Sequence, residues 1–223
     1  MWQNLRALRW WLGQHGGMKI IVVGAGGTLG RAVVDVLSPA HEVVPASRRG
    51  PVRVDLEDLP SIDALFAAVS DVDAVVCCAA SGPLLDLATA TDAEFAAGLS
   101  GKLLGQVALA RRALHHLRDN GSITLTGGTF AAPLPGGSLG ALVNSGLSGF
   151  VGNAAAELPR GLRLNLVAPG WLRETLVSLG MDPTDGAPAA DVARDYLACV
   201  EGSDTGMIVN RGSGCAMPDP GYR

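Results

Sequence analysis

The sequence predicts a single-domain, doubly wound α/β fold built on a seven-stranded, mostly parallel sheet. Three observations predict it. Strand-like and helix-like segments alternate along the chain, which is the signature of parallel strands joined by helical crossovers. The first strand runs straight into a glycine-dense turn that opens a helix. Residues 20–23 and 72–79 are almost unbroken apolar runs, as expected of strands covered by helices on both faces. At 223 residues and 48% hydrophobic, the chain can bury one sizeable core, and its length suits one domain better than two.

Each element follows from its own pattern. Residues 19–23 are short, apolar and rich in β-branched side chains, and 28–37 carry apolar residues at helical spacing. Further strand-like runs fall at 42–46, 52–56, 72–79, 122–126, 163–167 and 207–210. Helix-like stretches lie between them at 61–69, 92–117, 139–158 and 189–200. There is no internal repeat and no linker that would split the domain. With strand, glycine turn and helix in this order, the architecture is of Rossmann type.

Composition excludes several roles. Net charge is −4 with no long basic block, so nucleic acid is not expected as a partner. No apolar run reaches the roughly 18 to 20 uncharged residues of a membrane-spanning helix. Four cysteines, two of them adjacent at Cys77 and Cys78, make neither a disulfide framework nor a metal-ligand spacing. Neighbours in a strand point to opposite faces, so that pair would not converge on one ion, and no metal is expected. They read as small buried residues of a protein in the reducing cytoplasm. Residues 1–17 stand apart: Trp2, Leu5, Leu8, Trp11 and Leu12 fall at helical spacing with Arg6 and Arg9 among them. They lack the apolar core and small-residue cleavage site of a secretory signal. The expectation is an N-terminal appendage over 1–17, with the folded domain over 18–223; a packed or membrane-surface helix is the alternative.

Gly24, Gly26, Gly27 and Gly30 punctuate the turn after the first strand, spaced GxxGxxG on Gly24, Gly27 and Gly30. Such a turn lets backbone N–H groups approach a diphosphate, and the following helix adds its positive end at Thr28 and Leu29. Glycines also serve tight turns alone; the placement between first strand and first helix is what favours a dinucleotide. The second strand is followed by Ser47, Arg48 and Arg49, with no carboxylate at its tip to accept from the ribose hydroxyls of NAD. Arginine there suits the 2′-phosphate of NADP, so NADP is expected rather than NAD; a solvated basic loop is the plainer reading.

Over residues 18–214 the sequence resembles the short-chain dehydrogenase/reductase superfamily. The glycine turn matches, and Asp55-Leu56 lies where that family borders the adenine. Cys77-Cys78-Ala79-Ala80 occupies the position of the family's Asn-Asn-Ala-Gly. Gly121 through Leu125 resembles the fifth strand, Gly149-Phe150 through Leu158 the end of the long sixth helix, and Thr205-Gly206 the closing turn. Arg163 through Gly170 is close to Arg-x-Asn-x-Val-x-Pro-Gly, which implies nicotinamide contacts at Pro169 and Gly170. The resemblance implies a nicotinamide cofactor and a small-molecule carbonyl or alcohol substrate.

The usual catalytic quartet is not in place. In such enzymes a tyrosine gives a proton to the carbonyl, a lysine four residues later lowers its pKa, a serine polarises the carbonyl and an asparagine anchors a water relay. Counting from Phe150, the lysine position falls on Asn144 and the tyrosine position on Gly140. The serine position falls on Gly128, or on Thr129 with one gap, and the asparagine position on Lys102. The only tyrosines, Tyr196 and Tyr222, lie too late to be shifts of the motif. The chain thus resembles a divergent subgroup with an atypical site.

Lys102 is the most informative departure. It sits among Leu99, Leu103, Leu104 and Val107, where an ammonium would lose solvation. The expectation is an exchange of roles: Lys102 brings the charge and polarises a carbonyl or supplies a proton, and Asn144 takes the hydrogen-bonding part. A lysine on a solvated face is the alternative. Thr129 stands in for the serine hydroxyl, or bonds its own backbone. Trp171, with Arg173 and Glu174, covers a substrate or packs beneath its loop, and His115 and His116 read as helix C-terminal residues. Small residues along 139–158 (Gly140, Ala141, Gly146, Gly149, Gly152, Ala155) allow close helix approach, so a homodimer or homotetramer is expected, with core packing as the alternative. The leading expectation is an NADP(H)-dependent oxidoreductase. A non-redox cyclase, isomerase or dehydratase on the same fold, or a cofactor-binding protein without turnover, stands behind it.

Overall fold

A computed structural model describes residues 17–80 and 82–211, so the expected appendage lies outside the described residues except for Gly17. Seven strands form one sheet: β1 (Lys19–Val23), β2 (Glu42–Ser47), β3 (Val52–Arg53), β4 (Val72–Cys77), β5 (Leu117–Thr126), β6 (Arg163–Pro169) and β7 (Ile208–Arg211). Their order is β3-β2-β1-β4-β5-β6-β7, and every pairing is parallel. The expected doubly wound sheet is therefore present.

Helices cover both faces. On one side, α1 (Thr28–Leu37) and α7 (Ala189–Glu201) bury Val33, Leu37, Val192 and Tyr196 against Ile20, Val22, Ala74 and Val76. On the other, α2 (Leu59–Ala68), α4 (Gln106–His116) and α5 (Ser138–Ala154) bury Ile62, Leu109, Val143 and Leu147 against Ile21, Val75, Ile123 and Leu125. Successive residues of β1 thus feed opposite cores, which is why its whole run is apolar. The strand order reverses between β1 and β4, and a crevice opens there at the carboxyl ends of the strands.

Several boundaries depart from expectation. The run 52–56 is a strand only over Val52–Arg53, because the Asp55 N–H turns to the Ser61 hydroxyl (2.8 Å) as the chain enters α2. β5 begins early, at Leu117, and passes an irregularity where Asn120 adopts φ 63° and its N–H reaches the Arg160 carbonyl. Helix 139–158 ends at Ala154, followed by a 3₁₀ turn over Ala155–Glu157. A six-residue helix, α6 (Arg173–Ser178), occupies the loop after β6, too short to show periodicity in sequence.

The most consequential departure is in 92–117. It is not one continuous α-helix: α3 (Asp92–Leu99), opened by a Thr91/Glu94 capping box, passes into a π-wound segment over Ser100–Gly105 before α4 begins. Two glycines let this segment press on the chain leaving β3. A Cβ at Gly105 would lie 2.6 Å from the Leu56 carbonyl oxygen, and one at Gly101 2.7 Å from the Glu57 carboxylate. The Gln106 amide then donates to the Lys102 carbonyl (2.8 Å), giving that carbonyl a partner where the winding changes.

Candidate functional site

The crevice is a cleft of about 1180 Å³, floored by the carboxyl ends of the strands. Its first wall is the turn after β1. Gly24 adopts φ +81°, and a Cβ there would lie 2.6 Å from the Ala79 amide nitrogen, so the position requires glycine. The Gly24 N–H donates to the Ala46 carbonyl (2.9 Å), tying the turn to β2. Gly26 is exposed on the cleft, and a Cβ there would meet nothing within 4 Å. α1 starts without a side-chain cap, so its first-turn N–H groups have no partner within the helix and face the cleft with its positive end.

The predicted dinucleotide residues gather here with one exception. Gly24, Gly26, Gly27, Thr28, Leu29, Ser47, Arg48, Arg49, Asp55, Leu56, Ala79, Ala80, Pro169 and Gly170 all line the cleft. Gly30 does not: it is buried, and its Cβ would fall 2.1 Å from the Gly24 carbonyl oxygen, so it serves the packing of helix on turn. Arg48 and Arg49 are exposed, and neither is paired with a carboxylate among the described residues. A third guanidinium, Arg31, lines the same end. Sequence reasoning passed over it, although its place three residues after Thr28 puts it on the same helix face. Unpaired first-turn amides, an open glycine and unpaired guanidinium groups can hold a diphosphate and a further phosphate.

At the other end stand Lys102, Thr129 and Asn144, which the fold brings to one wall. The Lys102 ammonium donates to Asn144 Oδ1 at 2.9 Å. Burial, the cost of holding a charge away from water, brings its pKa down from 10.5 to about 8. The π-wound segment aims Lys102, and Gln106 anchors that segment. Its side chain is fully buried, donates to the Lys102 and Thr126 carbonyls (2.8 and 2.9 Å) and accepts from the Thr126 N–H (2.9 Å). The one signal for Gln106 in the sequence is a long amide on the buried face of an apolar helix.

Two glycines of this wall leave room for larger neighbours. Gly128 makes room for Asn144, whose amide nitrogen would lie 3.1 Å from a Cβ there. Gly140 makes room for Phe130, whose ring would lie 3.0 Å from a Cβ. Phe130 was not foreseen as a wall of the site. The Thr129 N–H donates to the Pro169 carbonyl (2.9 Å), while its hydroxyl oxygen is buried with no hydrogen-bond partner.

Other singled-out residues have structural tasks. Trp171 is half-buried and lines the cleft. Arg173 is exposed and does not line it, and the Glu174 carboxylate accepts from the Ala189 N–H (3.0 and 3.1 Å), capping α7. His116 stacks on Phe66 with ring centroids 4.8 Å apart. Tyr196 is sealed under the sheet, its hydroxyl bonded to Thr126 Oγ1, and burial pushes its pKa well above 10. Among the described residues no group of three metal-ligating side chains occurs, and no helix is long and apolar enough to cross a membrane.

Known structures share this architecture. The protein lin1944 from Listeria innocua is 36% identical, with a TM-score of 0.83 over 87% of this chain and 99% of its own. A small-chain dehydrogenase in complex with NADPH is 22% identical, with a TM-score of 0.77 over 89% of this chain and 98% of its own. A short-chain dehydrogenase/reductase of the glucose/ribitol dehydrogenase type from Brucella melitensis is 18% identical, with a TM-score of 0.79 over 90% and 97%. Comparison with curated proteins finds no match. The family model described as enoyl-(acyl carrier protein) reductase matches residues 14–196. With that match running from before β1 into α7, the chain belongs to the short-chain dehydrogenase/reductase superfamily.

Proposed function

We propose that this protein is an NADP(H)-dependent oxidoreductase acting on a carbonyl or alcohol, with Lys102 rather than a tyrosine as its proton donor. The observation that carries this reading is the ammonium of Lys102 held at 2.9 Å from Asn144 on the wall of a dinucleotide-sized cleft.

In this reading the first-turn amides of α1 and the open backbone at Gly26 hold the diphosphate. Arg48 and Arg49 take the 2′-phosphate with Ser47, Asp55 and Leu56 flank the adenine, and Ala79, Ala80, Pro169 and Gly170 border the nicotinamide ribose and ring. The fold neighbour with bound NADPH supports the choice of NADP over NAD. When bound, the nicotinamide supplies a hydride to a carbonyl carbon. Lys102, as the ammonium, gives its proton to the carbonyl oxygen and is left as the neutral amine, which solvent reprotonates. A pKa near 8 suits that exchange at neutral pH. Asn144 fixes the direction of the amine, and a turn of the Thr129 side chain into the cleft would bring its hydroxyl, which has no protein partner, to the same oxygen.

On α5, Leu142 is exposed and Gly149 and Gly152 face open space, which favours close approach of a second copy in a homodimer or homotetramer. Cys77, Cys78 and Cys199 are unpaired, in keeping with a reducing cytoplasm. Residues 18–223 form the catalytic domain in this view, with 1–17 as an appendage.

The test is a carbonyl panel assayed for loss of the reduced cofactor's absorbance, with wild type beside Lys102→Met. The reading expects substrate-dependent NADPH oxidation that falls by about 100-fold or more in the variant, the usual contribution of a general acid. Product formed with no change in cofactor redox state would instead identify the non-redox chemistry, and equal rates in the two proteins would remove Lys102 from the mechanism.

A further inference from the structure

The substrate end of the cleft has a chemistry of its own. Beyond Lys102 its walls are Phe130, Leu139, Val143, Trp171 and Leu172. Two segments that contribute to its lining, through Leu84 and through Thr175 and Leu179, leave large apolar side chains in water. Leu84 and Leu87 follow β4, while Val177, Leu179 and Met181 lie on α6 and the turn after it. These five are between 49% and 72% exposed, and Leu84 and Leu179 themselves line the cleft. The Leu85 N–H donates to the Gly136 carbonyl (3.0 Å), so the first segment is fastened to the loop before α5. Exposed apolar side chains on the wall of a concave site favour an apolar ligand.

Charge is distributed the opposite way. The cations lining the cleft are Arg31, Arg48 and Arg49 at the glycine-turn end, and Lys102 at the junction of the two ends. Among the described residues no cation lines the wall beyond Lys102; Arg173, on α6, is exposed but does not line the cleft. The two segments also carry carboxylates: Asp86 accepts from the N–H groups of Ala88 and Thr89 (2.9 and 3.0 Å), and Asp182 from Thr184 N–H and hydroxyl (2.9 and 2.6 Å). Those bonds hold both carboxyls below the usual carboxylate range, so both are negative at neutral pH.

We propose that this end of the cleft takes an uncharged carbonyl compound with an extended apolar arm, an alkyl chain or a ring, and discriminates against arms that end in an anion. The inference rests on the oxidoreductase reading for the reacting group alone; the apolar subsite can be tested without turnover. An apolar arm gains by leaving water along Leu84, Leu179 and Phe130, whereas an anionic arm would lose hydration there against a wall that no cation lines among the described residues.

The experiment uses the full chain with NADPH present and reads two quantities. Ligand-observed NMR compares binding of 1-octanol with octanoate, in wild type and in Leu84→Asp and Leu179→Asp, substitutions at exposed positions that leave the core intact. Octanol is expected to bind at least about ten-fold more tightly than octanoate, and each variant to weaken it several-fold. In parallel, NADPH consumption with butanal, hexanal and octanal should show kcat/KM rising by about three- to four-fold for each methylene buried. Octanol binding without consumption of NADPH by any aldehyde would support the apolar subsite and count against the oxidoreductase reading. Octanoate binding as well as octanol, or octanol binding untouched in both variants, would overturn the inference. So would a drop in solution mass in the variants, which would mean that a second copy of the chain covers these side chains.

Discussion

Lys102 Nζ donates to Asn144 Oδ1 across 2.9 Å, joining a π-wound turn to the long helix that follows β5. The two residues are 42 positions apart in sequence. They form one unit because Gly128 leaves space for the Asn144 amide and because Gln106 holds the turn that carries Lys102.

The pair predicts a pH profile. Burial lowers the Lys102 pKa to about 8, so the acid form needed for carbonyl reduction is lost above that pH. For reduction, kcat/KM should be level below pH 8 and fall about ten-fold per pH unit above it. Asn144→Asp sets a carboxylate beside the ammonium and should move the falling limb upward by about one pH unit or more. The sign for stability is also fixed. Between the folded value near 8 and the ordinary 10.5 the unfolded chain binds the extra proton, so this lysine's contribution to stability rises with pH. Removing it in Lys102→Met should flatten that rise in urea denaturation at several pH values.

Gln106 makes three hydrogen bonds to backbone groups from a fully buried side chain. Gln106→Leu strands the Thr126 N–H and two carbonyls, and is expected to cost about 2–4 kcal/mol in urea denaturation. It should also lower kcat more than it raises the KM of the carbonyl, because the turn that aims Lys102 loses its anchor.

Gly26 and Gly24 separate ligand space from backbone need. Gly26→Ala meets no protein atom within 4 Å, so stability should hold or rise by about 0.5 kcal/mol, while NADPH affinity falls about ten-fold as the methyl enters the diphosphate's space. Gly24→Ala combines φ +81° with a contact of 2.6 Å to the Ala79 amide, and should lower melting temperature and NADPH affinity together. Thermal unfolding and calorimetric titration check both.

Arg48 and Arg49 should act on one cofactor and not the other. Replacing either with alanine is expected to weaken NADPH by about ten-fold, with little change for NADH, because only the former carries the 2′-phosphate.

Much of this was legible in the sequence. The alternation of apolar runs gave the sheet, since β1 and β4 must be apolar on both faces to sit between two helical layers. The cleft's glycine-turn end followed from strand, turn and helix in succession. Lys102, Thr129 and Asn144 were chosen by counting from motifs, and the fold sets them on one wall. Where the reading stopped, the cause is tertiary. Gly30 has the spacing of a ligand glycine, yet it is the close approach of helix to turn that uses it. The run 92–117 looks like one helix because helical spacing does not register a π turn, which here depends on Gly101 and Gly105 meeting Glu57 and Leu56. Phe130 lies in a loop without periodicity, and only its fit against Gly140 makes it a wall of the cleft.

Calorimetric titration of NADPH and NADH into the purified chain asks whether the cleft holds a dinucleotide at all. Saturable one-site binding is expected, tighter for NADPH by about ten-fold or more. Absence of heat for both dinucleotides at millimolar concentration would overturn the cofactor assignment and the chemistry built on it.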